Sequence, residues 1–432
     1  MKHREGGPPD GGYGWVVVAS SFLIMGLTAG VMKNLGLFFL EIQRHFGVLN
    51  STASWVTSTT IAMFHLAAPV ASSLSLLFSH RVVIMAGGVL TTSSMVLASL
   101  DLSLPWMYCS LGVLQGTGMA LTWVPCNSMV SHYFQRLRPV AYALASSGEC
   151  VFAAVFSLFF QWLIDAYAWQ SALLLIGGLQ LNLCVCGALM RPLETGDHPP
   201  EVRRTPETGG ECAPPKAKRQ IFHWSLLRRP ELVLYILFAV MAAAGFFIPP
   251  LFLVPHAGSL GMDPYRVASV LAVLATADLA GRLSCGWLAH RRRWRNLQLL
   301  TVTVTALGAV VVLLPLGARG YWATLAFCSL YGFLFGCVVA LHVTAIVDVV
   351  GGLERFDSGL GLFMMFRTAG GFLGPPAAGW LVDQTNDFSA AFFLSGFCLL
   401  FSGVFVLAVD HLVQRKLGVR AEAAAQGGAA VT

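Results

Sequence analysis

The chain has 432 residues, of which 56% are hydrophobic and only 11% charged. Soluble domains carry about 25% charged residues, so a soluble globular protein is excluded and an all-α polytopic membrane protein is expected. The formal net charge of +6 gives no footing for nucleic acid, because the basic residues are placed for topology along the chain.

The first residues, MKHREGGPPDGG, are polar and run straight into a full-length apolar segment. That start does not read as a secretory signal, so the segment is expected to remain as a helix. Apolar runs separated by turn or charge signals then predict twelve spanning helices. They cover 14–40, 52–78, 82–101, 105–131, 138–165, 168–190, 229–256, 266–290, 296–317, 321–349, 357–384 and 388–411. Pro105 and Pro139 fall at helix starts, where a missing N–H costs nothing. Short connections at 79–82, 132–137 and 352–357 imply antiparallel neighbours. The pairs Pro249-Pro250 and Pro375-Pro376 are expected to break backbone bonding in the seventh and eleventh helices.

The stretch 191–228 is rich in Pro, Gly and charge and lacks a sustained apolar face, so it reads as a disordered linker between six helices and six. The expected organisation is an N-terminus at 1–13, helical bundles at 14–190 and 229–411, and a mobile tail at 412–432. Of the 27 lysines and arginines, only Arg44, Arg266 and Arg319 fall outside, and Lys33, Arg282 and Arg367 within the membrane, if both termini and the linker are cytoplasmic. That asymmetry is what the positive-inside rule expects. Asn50-Ser51-Thr52 is a glycosylation sequon on the outer side, too close to the second helix to be used.

Charges inside spans carry the functional signal. A charge at bilayer depth costs several kcal/mol on most estimates and is usually functional. Lys33 lies roughly 27 Å along a helix from Trp15, at about 1.5 Å per residue, in the outer half of the membrane, where it either snorkels to the outer headgroups or, as the apolar residues beyond it favour, faces a cavity. Asp278 and Arg282 are four apart and share a helix face. Glu149 is read either as the partner of Arg367 or as a second proton site. With Lys33, Arg282 and Arg367 against Glu149 and Asp278, the inner charges sum to +1, which favours an anion. Asn34 is a further candidate cavity residue. His65 and His342 read more readily as hydrogen-bonded core residues. Most of the ten cysteines, such as Cys150, Cys184 and Cys328, sit in apolar runs without metal or redox spacing. No metal site is expected.

Several motifs point to one family. Asp10-Gly11-Gly12-Tyr13-Gly14-Trp15 opens the first helix. Tyr133-Phe134, Arg136, Arg138-Pro139, Ala141 and Ser147-Gly148 surround entry to the fifth. Gly374-Pro375-Pro376 with Gly379 lies in the eleventh. In this order, with Lys33, Asp278 and Arg282, the set resembles the monocarboxylate transporters of the major facilitator superfamily, from about residue 8 to 412. The loop Ser79-His80-Arg81, Glu149 and Arg367 depart from the better-known lactate carriers.

The resemblance implies twelve helices in two six-helix halves that rock around a midplane site. It also implies proton-linked symport of a small monocarboxylate of the lactate, pyruvate or ketone-body class across the plasma membrane. Lys33, Asp278 and Arg282 would serve substrate and proton, with Asp278 taking the proton and Arg282 the carboxylate. Asp10, Gly11, Trp15 and Arg138 would serve as motif or gating residues. The rival on the same fold is facilitated diffusion of a larger solute, such as an aromatic amino acid, thyroid hormone, creatine or carnitine. The expected partners are a small organic anion with a proton and the lipid bilayer. Some carriers of this family travel with a single-span immunoglobulin-type glycoprotein, and the resemblance admits such a partner here. No cofactor is implied. A non-transporting scaffold would need a larger soluble part, and an intramembrane enzyme would need a nucleophile or metal motif that the sequence lacks.

Overall fold

The computed structural model describes residues 11–134, 137–191, 224–290, 295–350 and 356–429. Apolar stretches of spanning length form helices because every backbone donor and acceptor is then satisfied within the segment. Among the described residues there are helices and turns and no strand.

The first rod, α1, is not uniform. It comprises Gly14–Met25, a π-helical turn Gly26–Gly30, Val31–Lys33 and, after Asn34, Leu35–Phe46. Next come α2 (Asn50–Leu66 continued by Ala68–Phe78), α3 (His80–Ser99) and α4, whose parts are Leu104–Met107, a π-helical stretch Tyr108–Leu114 and Gln115–Tyr133. The run Arg138–Gln180 turns a corner at Ala168, where φ is 64°. It therefore splits into α5 (138–167) and α6 (168–180, continued by Asn182–Leu189).

A short turn Trp224–Arg228 leads into the second half. There α7 is Pro230–Phe246 continued by Ile248–Ser259, followed by α8 (Pro264–His290), α9 (Asn296–Gly317), α10 (Tyr321–Val350), α11 (Phe356–Thr385) and α12 (Ser389–Ala429).

Two expectations change, for the tail and for the eleventh helix. The chain after 411 continues helical to Ala429, and its Ala- and Glu-bearing sequence has the helix propensity to do so. Phe247, at φ −89° and ψ −9°, separates the two parts of α7 just before Pro249-Pro250. By contrast, α11 runs through Pro375 and Pro376 without a break. Both of those prolines are buried, and neighbouring helices hold the freed backbone in place. Nearly all of the predicted linker, 192–223, lies outside the described residues.

The halves α1–α6 and α7–α12 meet along two main seams, α5 against α8 and α2 against α11, with the distal part of α1 against the second part of α7. Apolar side chains remain exposed around the perimeter, among them Phe397, Phe401 and Val404 on one face of α12. On a chain of this composition that surface is lipid-facing.

Candidate functional site

The site begins with the irregularity in α1. After the π-helical turn, Asn34 leaves helical geometry at φ −99° and ψ 2°. Its amide donates to Gly30 O at 2.9 Å and to Ala153 O of α5 at 3.1 Å. Asn34 is 2% exposed, so it fastens the break to α5 rather than lining open space. Glu149 lies one helical turn before Ala153 and shares its face. Beside it, a Cβ on Gly148 would fall on the Phe22 carbonyl oxygen, so only glycine lets α1 and α5 come this close. Lys33 and Glu149 are thereby brought together.

From the other half, α8 supplies Asp278 and Arg282. The four groups form a closed ring. Lys33 Nζ donates to Asp278 Oδ2 at 2.6 Å and lies 2.8 Å from Glu149 Oε1. The Arg282 fork is used on both edges. Nε donates to Asp278 Oδ1 at 2.8 Å and Nη2 to Oδ2 at 3.2 Å. Nη2 and Nη1 donate to Glu149 Oε1 and Oε2 at 3.0 and 3.3 Å. Side-chain exposure is 19% for Lys33, 18% for Glu149, 13% for Arg282 and 0% for Asp278. The ring is neutral as a whole, and each cation is shared between two carboxylates. Lys33 Nζ also lies 5.8 Å from the Phe335 ring centre of α10, a contact the sequence did not signal.

Glu149 therefore pairs with Lys33 and Arg282 and not with Arg367. No carboxylate of the described residues lies within ion-pair distance of Arg367. Its guanidinium sits 6.0 Å from the centre of the Phe247 ring and within electrostatic reach of Glu149, His65 and His342. The +1 surplus counted in the sequence thus resides on Arg367. His65 and His342 are buried and bond backbone carbonyls four residues back, Ile61 O at 2.8 Å and Val338 O at 3.1 Å.

The terminal motifs meet each other away from this ring. Gly11 O accepts from Gly14 N at 3.1 Å, closing the turn into α1. Trp15 packs edge-on to Phe134 at 5.2 Å, and Tyr13 lies 6.4 Å from Tyr133. Tyr13 Oη donates to Leu189 O at 2.7 Å, and Tyr133 Oη to Arg191 O at 2.8 Å. The two motifs brace the end of one half. Asp10 lies outside the described residues, as does the side chain of Arg138, which begins α5. Among the described residues no cluster of His, Cys, Asp and Glu suits a metal.

This architecture has known counterparts. Residues 19–355 match the Major Facilitator Superfamily. The chain is 38% identical over 404 residues to monocarboxylate transporter 13 of Bos taurus, covering 94% of this chain and 91% of the relative. It is 37% identical to monocarboxylate transporter 11 of Homo sapiens, covering 94% and 84%. For monocarboxylate transporter 3 of Rattus norvegicus the identity is 35%, covering 95% and 83%. The chain belongs to the monocarboxylate transporter family.

Solved structures agree on the fold. The nucleoside transporter NupG (D323A mutant) superposes with a TM-score of 0.70 at 12% identity, covering 94% of this chain and 99% of that one. An occupied, inward-facing bacterial homologue of the human lysosomal transporter Spinster gives 0.68 at 15% identity, covering 95% and 98%. The chain is thus a membrane carrier of the major facilitator type and not an enzyme. In this chain the ring bridges helices of the two halves.

Proposed function

We propose that this carrier moves a small monocarboxylate together with a proton across the plasma membrane by alternating access, with both termini and residues 191–228 in the cytoplasm. The supporting observation is the neutral ring of Lys33, Glu149, Asp278 and Arg282 across the α5–α8 seam. Buried ion pairs stabilise poorly compared with apolar packing, so a ring retained at membrane depth is better explained by transport.

In this reading a proton neutralises one carboxylate. The ring then carries +1, and the Arg282 fork loses one of its two acceptors. A carboxylate substrate can take that place in bidentate geometry, which guanidinium suits and ammonium does not. One proton and one anion enter together, and the loaded site is again neutral. Glu149 is the more accessible acceptor at 18% exposure, against 0% for Asp278. This favours Glu149 for proton entry, with Asp278 anchoring both cations.

Purified protein in liposomes, loaded with an imposed pH gradient and given labelled L-lactate or pyruvate, tests the proposal. Uptake should accelerate when the substrate side is acidified and should acidify the lumen in step with the anion. Uptake indifferent to the gradient would instead favour facilitated diffusion.

A further inference from the structure

The ring does not use Arg367, and the structure surrounds that residue with groups suited to a ligand. We propose that Arg367, His65 and His342 form a second recognition site, one that holds the carboxylate of a 2-hydroxy acid at a step separate from its binding at Arg282 and reads its hydroxyl. This deepens the proposed function and rests on it.

Three elements converge. Arg367 comes from α11, with its guanidinium 6.0 Å from the Phe247 ring centre. The His65 ring of α2 lies 6.4 Å from that same Phe247 ring. His342 of α10 stacks at 5.8 Å on Phe363, one helical turn before Arg367 on the same helix face. Tyr235 locks this corner, stacking on Phe363 at 5.3 Å and donating to His342 O at 2.5 Å. His65 belongs to one half of the carrier, and Arg367, Phe247 and His342 to the other.

The tautomers follow from the bonds. Ile61 O and Val338 O are carbonyl oxygens and can only accept, so the hydrogen in each neutral ring sits on Nδ1. Each Nε2 is then an acceptor, and neither has a side-chain partner among the described residues. A guanidinium without a carboxylate among the described residues shares the Phe247 ring with His65 and lies within electrostatic reach of both imidazoles. That set complements an anion bearing an adjacent O–H. A 2-oxo acid offers the anion but no donor.

The test uses full-length protein in liposomes, with L-lactate and pyruvate as probes. For Arg367→Lys, which keeps the charge and approximate length, KM for L-lactate should rise about tenfold or more, since a point charge does not reproduce the fork. Arg367→Gln should raise it further. For His65→Phe and His342→Phe, the ratio of kcat/KM for lactate over pyruvate should fall about tenfold, the scale of one lost hydrogen bond. An unchanged KM in Arg367→Lys, or an unchanged ratio in both histidine variants, overturns the site. If the wild type shows acid-driven uptake while these variants match it, only this inference falls. If the wild type transports neither acid, the proposed function falls with it.

Discussion

Lys33 and Asp278 stand 245 residues apart in the chain and 2.6 Å apart in the fold, and their bond joins the two six-helix halves. Any motion that separates α1 from α8 must break it or carry both residues together. Lys33 has a second carboxylate in Glu149, so it can pass between them without becoming unpaired.

The first prediction removes that lysine. Lys33→Gln leaves two carboxylates sharing one guanidinium. Breaking a buried pair in this way costs about 3–5 kcal/mol. Net acid-driven uptake should be abolished while surface labelling still detects the protein. Wild-type uptake by this variant would mean that the ring is dispensable.

Much of the fold was legible because spanning length and hydropathy are local properties. The corner between α5 and α6 fell where the sequence put it, within a few residues of Ala168. Pairing within the site was not legible. Glu149 and Arg367 have opposite charges and suitable positions, yet Glu149 turns to Lys33 and Arg282. That outcome depends on Gly148 seating α5 against α1, which is a tertiary contact. Asn34 was a candidate cavity residue in the sequence. Its role in bonding the α1 break to α5 could not be read without knowing that the helix is interrupted. The extension of α12 beyond 411 was hidden because Ala- and Gly-rich sequence suits both helix and loose tail.

The second prediction separates the two carboxylates. Glu149→Gln cannot titrate, so proton-linked accumulation should be lost, and exchange of substrate across the membrane should lose most of its pH dependence. Asp278→Asn, at a fully buried position, should impair transport and also lower thermal stability, because it weakens the anchoring of both cations. If Asp278→Asn alone abolishes pH dependence while Glu149→Gln retains it, the proton enters at Asp278 instead.

Arg282 gives a third prediction. Arg282→Lys preserves charge but loses the double-edged fork, with four donor contacts reaching two carboxylates. Transport should fall about tenfold or more. Exchanging Asp278 and Arg282 keeps a local pair but sets a guanidinium where Lys33 now meets a carboxylate, so it should not restore function. A swapped protein with normal coupled uptake would reduce the pair to a structural brace.

Orientation is the fourth prediction. An epitope tag inserted within 191–228 should be hidden from antibody on intact cells and stain after permeabilisation, as the distribution of lysine and arginine requires. Staining of intact cells would invert the proposed topology.

The last prediction concerns the end of the molecule where α2 begins and α11 ends. No side chain of its own caps α2, which would leave its first backbone donors open. Asp383 of α11, from the other half, fills the role. It accepts from Asn50 N and Nδ2 at 2.9 Å each, from Ser51 N at 2.9 Å and from Ser51 Oγ at 2.6 Å. Nearby, a Cβ on Gly379 would crowd the Ser51 backbone, so the family glycine permits this approach. The bond to Asn50 Nδ2 also occupies the nitrogen that glycosylation would modify. A cap of this kind contributes about 0.5–2 kcal/mol, and here that energy favours the state in which this end is closed. Asp383→Ala should therefore shift the population toward opening there, with about tenfold for each 1.4 kcal/mol. The reporter is a cysteine at Phe39, which is 3% exposed and packs at 5.5 Å against Phe252 of α7. In a background without the exposed Cys109, a membrane-impermeant maleimide should label Phe39→Cys several-fold faster when Asp383 is alanine. Equal labelling rates would show that Asp383 caps α2 without holding the halves together.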